Sequence, residues 1–548
     1  MTAQEFNWAY SIGGASEDFS AAISVDSEGN VYTVGFFDGV VDFDPGPGVY
    51  NLGTPGLDKM FIQKVNAEGE FLWAYELGGS SIVNVFPSAI SIDGAGDVVI
   101  SGVFRGAVDF DPGIGSYVMN ASGPPQFFIL KLDSSGAFLW SKHLKLIEQW
   151  EEGCCSNFTI TIDEFNNIYS AGAFVGVIDF DPGDTVFEAD SGPGTSGYIL
   201  KLDASGNFVW VKILEGHSCA IRSIKLDTEN DVVLTGNFIG EVDFDPNEGE
   251  LIIDAGFGGR NLFIQKLSNL GELIWVKTLI EDTSVYAADM VVDDLNNIYI
   301  TGEYVGNVDF DPGSSSYFMT SNGVADAFLL KVDSLGEFVY AKGYGGSNTD
   351  HVEAMAIDSY QNIFITGYFI GTVDFDPSSN DFFLTSAGGW EVYALVLSES
   401  GGFGWAISFR GEDVGFSNDV FVTADSEVLL SGRYRGTADF DPGDDEYFLT
   451  SNGDYDGYLV KLNDEFLNRQ EIDFPNVAFF PNPVNDVLTV ELELDGTIEF
   501  YSVLGVLLKK VTVQKGVFDI NLNDLKSGVY FISIMTTQGR LTKKIIKE

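Results

Sequence analysis

Positive charge is scarce in this sequence: 28 Lys+Arg stand against 82 Asp+Glu in 548 residues, a formal net charge of −54. Nucleic acid and anionic lipid surfaces are thereby excluded as partners, because both would be repelled. Cysteine is scarce too, at three, which is too few for a disulfide framework and leaves the compartment undecided. No apolar run approaches the ~18 residues of a membrane-spanning helix, and residues 1–20 lack the basic-then-apolar pattern of a signal peptide. Gly-x-Ser-x-Gly, His-Glu-x-x-His and a phosphate-cradling glycine loop are missing as well. What is present is 45% hydrophobic residues, with 63 Gly, 45 Phe and 22 Tyr. A chain of that composition can bury a large core, and it reads as many short strands joined by tight turns, an all-β protein.

The strands are arranged in a repeat. Asp-Phe-Asp-Pro begins at Asp42, Asp109, Asp179, Asp243, Asp309, Asp374 and Asp439, with glycines in phase at Gly35 and Gly39 in the first copy and at matching places in the others. Each unit of roughly 66 residues reads as four strands, the last bearing Trp73, Trp140, Trp210, Trp275, Tyr340 or Trp405. Seven four-stranded units predict a seven-bladed β-propeller, and the excess over the usual ~40–50 residues per blade is the insertion around the motif. The chain opens with Phe6-Asn7-Trp8-Ala9-Tyr10, a fourth strand without its first three, and the seventh unit stops after its third. The N-terminal strand is therefore expected to complete the last blade and close the ring. The Trp-Ala…Gly-Gly strand, the Val-Asp…Gly-Asn-Val-Tyr hairpin and the Lys-Leu-Asp…Gly strand resemble bacterial seven-bladed β-propeller repeats over about residues 5–466. That resemblance implies a fold and leaves the ligand open.

Residues 1–469 are read as the propeller and residues 470–548 as a small Ig-like β-sandwich. The charge divides the same way: residues 475–548 hold eight basic and eight acidic residues, so the propeller segment carries the whole −54. The tail resembles the C-terminal sorting domain of the type IX secretion system of Bacteroidetes. The resemblance lies in Phe480-Pro481-Asn482-Pro483, Leu488-Thr489-Val490, Tyr501-Ser502-Val503-Leu504-Gly505, Leu525-Lys526-Ser527-Gly528-Val529-Tyr530-Phe531 and Gly539-Arg540-Leu541-Thr542-Lys543-Lys544. It implies export to the surface or beyond, with the secretion machinery as partner and the domain usually cleaved. Such cargo first crosses the inner membrane behind a signal peptide, so the expectation is that this segment has been removed and Met1 added. The plainer reading is a carbohydrate-binding or linker sandwich.

The motif invites a metal reading. Asp42 and Asp44, Asp109 and Asp111, Asp179 and Asp181, Asp243 and Asp245, Asp309 and Asp311, Asp374 and Asp376, and Asp439 and Asp441 each share one side of an extended segment while Phe packs on the other. Calcium is the candidate cofactor, since hard cations take carboxylate oxygens; the rival is a hairpin device in which the Asp side chains cap backbone amides. The following Pro-Gly fits a turn with Gly third. Asn247 tolerates the left-handed conformation there and Ser378 fits it poorly, so the sixth hairpin is expected to differ.

The hairpins are expected to place their carboxylates on the face that also holds the blade-to-blade connections, with a ligand site near blades three and four. Cys155 (or Cys154) and Cys219 can bridge neighbouring inner strands; free thiols or a zinc site with His217 are the alternatives. Trp150, His217, His351 and Trp390 are candidate ligand contacts, whereas the Trp row reads as packing. These features predict a secreted, non-enzymatic binding module for an extracellular glycan or protein. An extracellular polysaccharide hydrolase or lyase using carboxylates of this face and a purely structural surface protein are the alternatives.

Overall fold

The computed structural model describes residues 5–79, 85–148, 155–424, 426–443, 445–463, 478–480, 483–492, 496–502, 507–523, 525–526, 528–536 and 539–547. It divides into two compact units, Ala3–Asn463 and Asp464–Glu548. The first is a seven-bladed propeller of four-stranded antiparallel blades. Blade one consists of Phe19–Val25, Val31–Asp42, Asn51–Val65 and Phe71–Leu77 from the axis outward. The inner strands of the following blades are Val85–Ile92, Cys155–Ile162, Gly216–Leu226, Val285–Val292, His351–Ile357 and Arg410–Val422. Each lies against the next, and the last lies against the first.

The ring is closed by the N-terminus, as the sequence indicates. Glu5–Ile12 pairs antiparallel with Asp456–Asn463, the third strand of blade seven, through Ala9↔Val460 and Ile12↔Gly457. Trp8 then occupies the place that Trp73 and Trp140 hold in their blades. Its indole donates to the carbonyl of Ala67 in blade one at 3.1 Å, and its ring lies where a methyl group on Gly69 would go. The ring of Trp73 lies against Gly136 of the following blade in the same way, and Trp140 against Gly206. The Trp row is inter-blade packing.

The insertion is a second device for joining blades. Gly39 and its six counterparts have φ between 68° and 102°, a backbone turn that only glycine makes without strain. The chain then runs beside the strand leaving the preceding blade: Ile178 pairs with Leu146, Asp374 with Gly345, and Asp109 bridges Gly78. The motif phenylalanines are fully buried. Each meets two rings of its own blade; Phe110 lies 5.2 Å edge-on to Phe104 and 4.9 Å from Phe128. Phe110 and Val108 also share a core with Tyr32, Met60 and Leu77 of blade one. Flat sheets radiating from an axis splay apart, and the hairpin fills the gap with apolar side chains. Its far end folds against the start of the outer strand, Tyr50 on Phe71 at 4.9 Å and Tyr117 on Phe138 at 5.1 Å. The hairpins therefore begin beside the blade-to-blade connections and run from there along the rim.

In the second unit, Ala478–Phe480, Val487–Leu492 and Gly516–Asn521 form one sheet. Leu507–Val513, Gly496–Ser502, Gly528–Thr536 and Gly539–Lys547 form the other. Leu488, Val490 and Ile520 from the first and Ile498, Phe500, Ile532 and Ile545 from the second share one core.

Candidate functional site

The seven motif pairs do one job. Asp42 accepts hydrogen bonds from the amides of Asp44 (3.1 Å) and Tyr50 (2.7 Å), and Asp44 accepts from Gly46 at 2.8 Å. The arrangement recurs with Asp109/Asp111, Asp179/Asp181, Asp243/Asp245, Asp309/Asp311, Asp374/Asp376 and Asp439/Asp441. Ser378 donates its amide to Asp376 at 2.9 Å, so the sixth hairpin matches the others. The reason is that the third turn position is not left-handed: neither Gly46, Asn247 nor Ser378 has positive φ. A short loop held by Asp side chains replaces the expected Pro-Gly turn. One oxygen of each carboxylate is thus spent on amides. Among the described residues, no group of three or more His, Cys, Asp or Glu side chains converges on a metal-sized site.

The remaining candidates are dispersed. Trp150 and Cys154 lie outside the described residues, as does the side chain of Cys155. Cys219 is a free, fully buried thiol within the inner strand of blade four, and burial pushes its pKa up to about 12. His217 is exposed and packs edge-on against Phe257 at 4.8 Å. His143 is pushed down to about 4 by burial.

His351 and Trp390 do come together, at the channel mouth. His351 Nδ1 lies 2.9 Å from Glu303 Oε1 of blade five. Its ring stacks on Tyr368 at 4.5 Å and leans on Trp390 at 5.3 Å, while Tyr368 stands at 87° to Trp390, also at 5.3 Å. Tyr368 continues to Phe416 of blade seven at 4.7 Å, and the Arg433 guanidinium lies 4.6 Å over that ring and 2.9 Å from Glu17. Glu353 leaves the inner strand of blade six at a break in its register between Val352 and Ala354. It is open to solvent but hemmed by protein, with Arg222 of blade four acting on it across the channel. Burial and then the Glu303 charge push its carboxyl up to about 7, against the pull of His351, the Tyr368 hydroxyl and Arg222. Burial would depress His351, but the Glu303 hydrogen bond and charge outweigh it and raise its pKa.

The positions that build this mouth can be aligned by the strand-two glycine. The residue after it is Phe36, Val103, Ala173, Asn237, Glu303, Tyr368 or Arg433, different in every blade. The glycine itself is invariant because a methyl group at Gly35 would strike the carbonyl of Phe19 and the Phe61 ring. Glu303, Tyr368 and Arg433 were not singled out from sequence, although this column carries the signal; Glu353 and Phe416, which lie on inner strands outside the column, were not singled out either.

Residues 478–548 match the family described as a secretion system C-terminal sorting domain. The chain is a seven-bladed propeller carrying a type IX sorting domain. That domain marks the propeller for export to the cell surface or beyond and implies engagement with the secretion machinery. No helix among the described residues is long and apolar enough to cross a membrane. An uncharacterized WD repeat-containing protein of Acanthamoeba polyphaga mimivirus is 22% identical over 83% of the exported chain, which spans 38% of that relative. PorZ, described as an essential bacterial surface component of the type IX secretion system of Porphyromonas gingivalis, shares 8% identity over 98% of this chain and all of its own (TM-score 0.25). A PL25 ulvan lyase shares 10% over 94% of this chain and 97% of its own (TM-score 0.35). Likeness at these scores says nothing of ligand or activity.

Proposed function

We propose that the exported propeller is a non-enzymatic binding module whose ligand seats at the channel mouth between blades five and seven. The observation that supports this reading is the loss of sevenfold identity there. Motif carboxylates, core phenylalanines and outer-strand aromatics repeat because each blade needs the same scaffold, and a scaffold position gives no reason for variation. A single ligand needs an asymmetric surface, and the mouth column is different in every blade. Half-exposed rings beside charged groups in a concave place are the usual makings of a binding site. The test is a screen of the full chain against glycan and surface-protein arrays, repeated with Tyr368→Ala and Trp390→Ala. Specific binding lost in both variants at unchanged melting temperature is expected; binding that survives in both removes the mouth as the site.

One observation favours a second reading, an enzyme acting on extracellular polysaccharide. Glu353, with its carboxyl near 7 beside Tyr368 and His351, is poised for proton transfer. Turnover of any member of a polysaccharide panel, abolished by Glu353→Gln, would replace the binding reading.

A further inference from the structure

We infer that the ligand enters the mouth with a positively charged nitrogen, an alkylammonium such as a lysine side chain, seated between the Tyr368 and Trp390 rings and the Glu353 carboxylate. This rests on the proposed mouth site and names its ligand chemistry. The rings come first: Tyr368 and Trp390 stand nearly perpendicular at 5.3 Å and are both half-exposed, a corner in which a cation meets the negative face of one ring while touching the other. The carboxylates come second. Glu303 is already paired with His351 at 2.9 Å, which leaves Glu353 as the group whose charge an incoming cation would complete.

The neighbouring cations make an anionic ligand the poorer fit. Arg433 is paired with Glu17 at 2.9 Å and Arg435 reaches Asp454 at 3.5 Å, so an anion would compete with carboxylates already in place. Burial, and after it the Glu303 charge, outweighs the pull of His351, the Tyr368 hydroxyl and Arg222 on the Glu353 carboxyl, so a further cation seated there would favour its charged form. At longer range the −54 of the chain concentrates cations around the propeller and steers them to its concave places.

The test uses the full chain with two small probes, Nα-acetyl-lysine amide and its uncharged analogue Nα-acetyl-norleucine amide, followed by saturation-transfer NMR. Lysine-probe binding that saturates and weakens about tenfold in Glu353→Gln and in Trp390→Ala, with no saturable norleucine binding, is expected. Glu229→Gln removes the same charge from an exposed inner turn of blade four and controls for general attraction to an acidic protein. Equal binding of both probes, or equal effects of Glu353→Gln and Glu229→Gln, overturns the inference. If the lysine probe fails while Tyr368→Ala and Trp390→Ala still abolish array binding, the mouth stands and its cationic ligand falls. If array binding also survives those substitutions, both readings fall. Glu353→Gln keeps the size and neutral form of a carboxyl that is already easily protonated, so its melting temperature should match the parent and the comparison remains readable.

Discussion

Removal of the closing strand is the sharpest test of the architecture. Tyr10 and Ile12 are 7% and 1% exposed, and burying side chains of that size contributes about 2–3 kcal/mol each. The Tyr10 hydroxyl also donates to Gln63 at 3.2 Å, and Gln63 in turn donates to the carbonyl of Phe43 at 2.6 Å. The strand therefore holds the hairpin of blade one as well as the third strand of blade seven. Tyr10→Phe, which leaves the Gln63 oxygen without that donor, should cost about 1 kcal/mol, and Tyr10→Ala about 3–5 kcal/mol. Deletion of residues 1–12 should cost more, and it should expose the edge of Asp456–Asn463 to pairing with other chains. All eight tryptophans lie before residue 464, so tryptophan fluorescence in a denaturant titration reports the propeller alone. The expected result is a lower midpoint with dimers or aggregates on size-exclusion chromatography, both reversed by a peptide of residues 5–12. A deletion variant that stays monomeric at the parent midpoint would refute closure by this strand.

Three further outcomes are expected. Lys131 lies 2.6 Å from Asp93 and 3.2 Å from Asp97, with both Lys131 and Asp93 buried; Lys131→Met strands a buried carboxylate and should cost about 3–5 kcal/mol in the same titration. Asp109→Ala removes the acceptor for two amides and should cost about 2 kcal/mol, while a chelator leaves the parent's melting midpoint unchanged; a drop on chelation that calcium restores would return the motif to metal binding. Stability should be greatest near about pH 5. Burial, ahead of the weaker effect of nearby carboxylates, raises buried Asp18 and Asp350 from 3.8 to about 7, so the stability each confers below pH 3.8 is lost as pH rises through 7, about 4 kcal/mol apiece. For Asp26, Asp109 and Asp309 burial acts upward but is outweighed by amide and side-chain donors; their contribution is present above 3.8 and lost below it. A midpoint that climbs steadily from pH 5 to 8 would contradict this balance.

Blade number, the closing strand and the packing role of the Trp row were legible because each depends on residues that must recur. Every blade needs a glycine under the backbone of its own inner strand and a phenylalanine in its gap, so period alone exposes them. The path of the hairpins was not legible, since the pairing of Ile178 with Leu146 joins different repeats and leaves no mark within either one. The site was hidden for the opposite reason. Rare residues drew attention to the connections near blades three and four, around His217, yet the mouth is built from common ones, Glu303, Glu353 and Tyr368, which gain meaning only when His351 and Trp390 are folded against them. A column that varies where its neighbours are constant is the better guide, because repetition marks scaffold and its interruption marks use.

The distribution of charge follows the same division. Asp26, Asp93, Asp163, Asp227, Asp293 and Asp358 close the inner turns of six blades by accepting two backbone amides each, and fourteen more acids hold the hairpins. These twenty of the chain's 82 acids serve two turn chemistries, six inner turns and seven hairpins. The lysines join the same scaffold: Lys64, Lys131, Lys266 and Lys461 are buried or nearly so and bridge turn or strand carboxylates. Arginine is used elsewhere, with Arg222, Arg260 and Arg433 set against the aromatic rings and carboxylates around the channel. A planar guanidinium stacks on a ring with its whole face and pairs in its plane at once, whereas Lys64 meets both demands as a point charge, 4.6 Å over Tyr32 and 3.2 Å from Asp26. The mouth is thus the place where Glu303 pairs with His351 and Arg433 lies over Phe416 among rings that the repeat does not fix, and that local arrangement, more than the net −54, is what a ligand would meet.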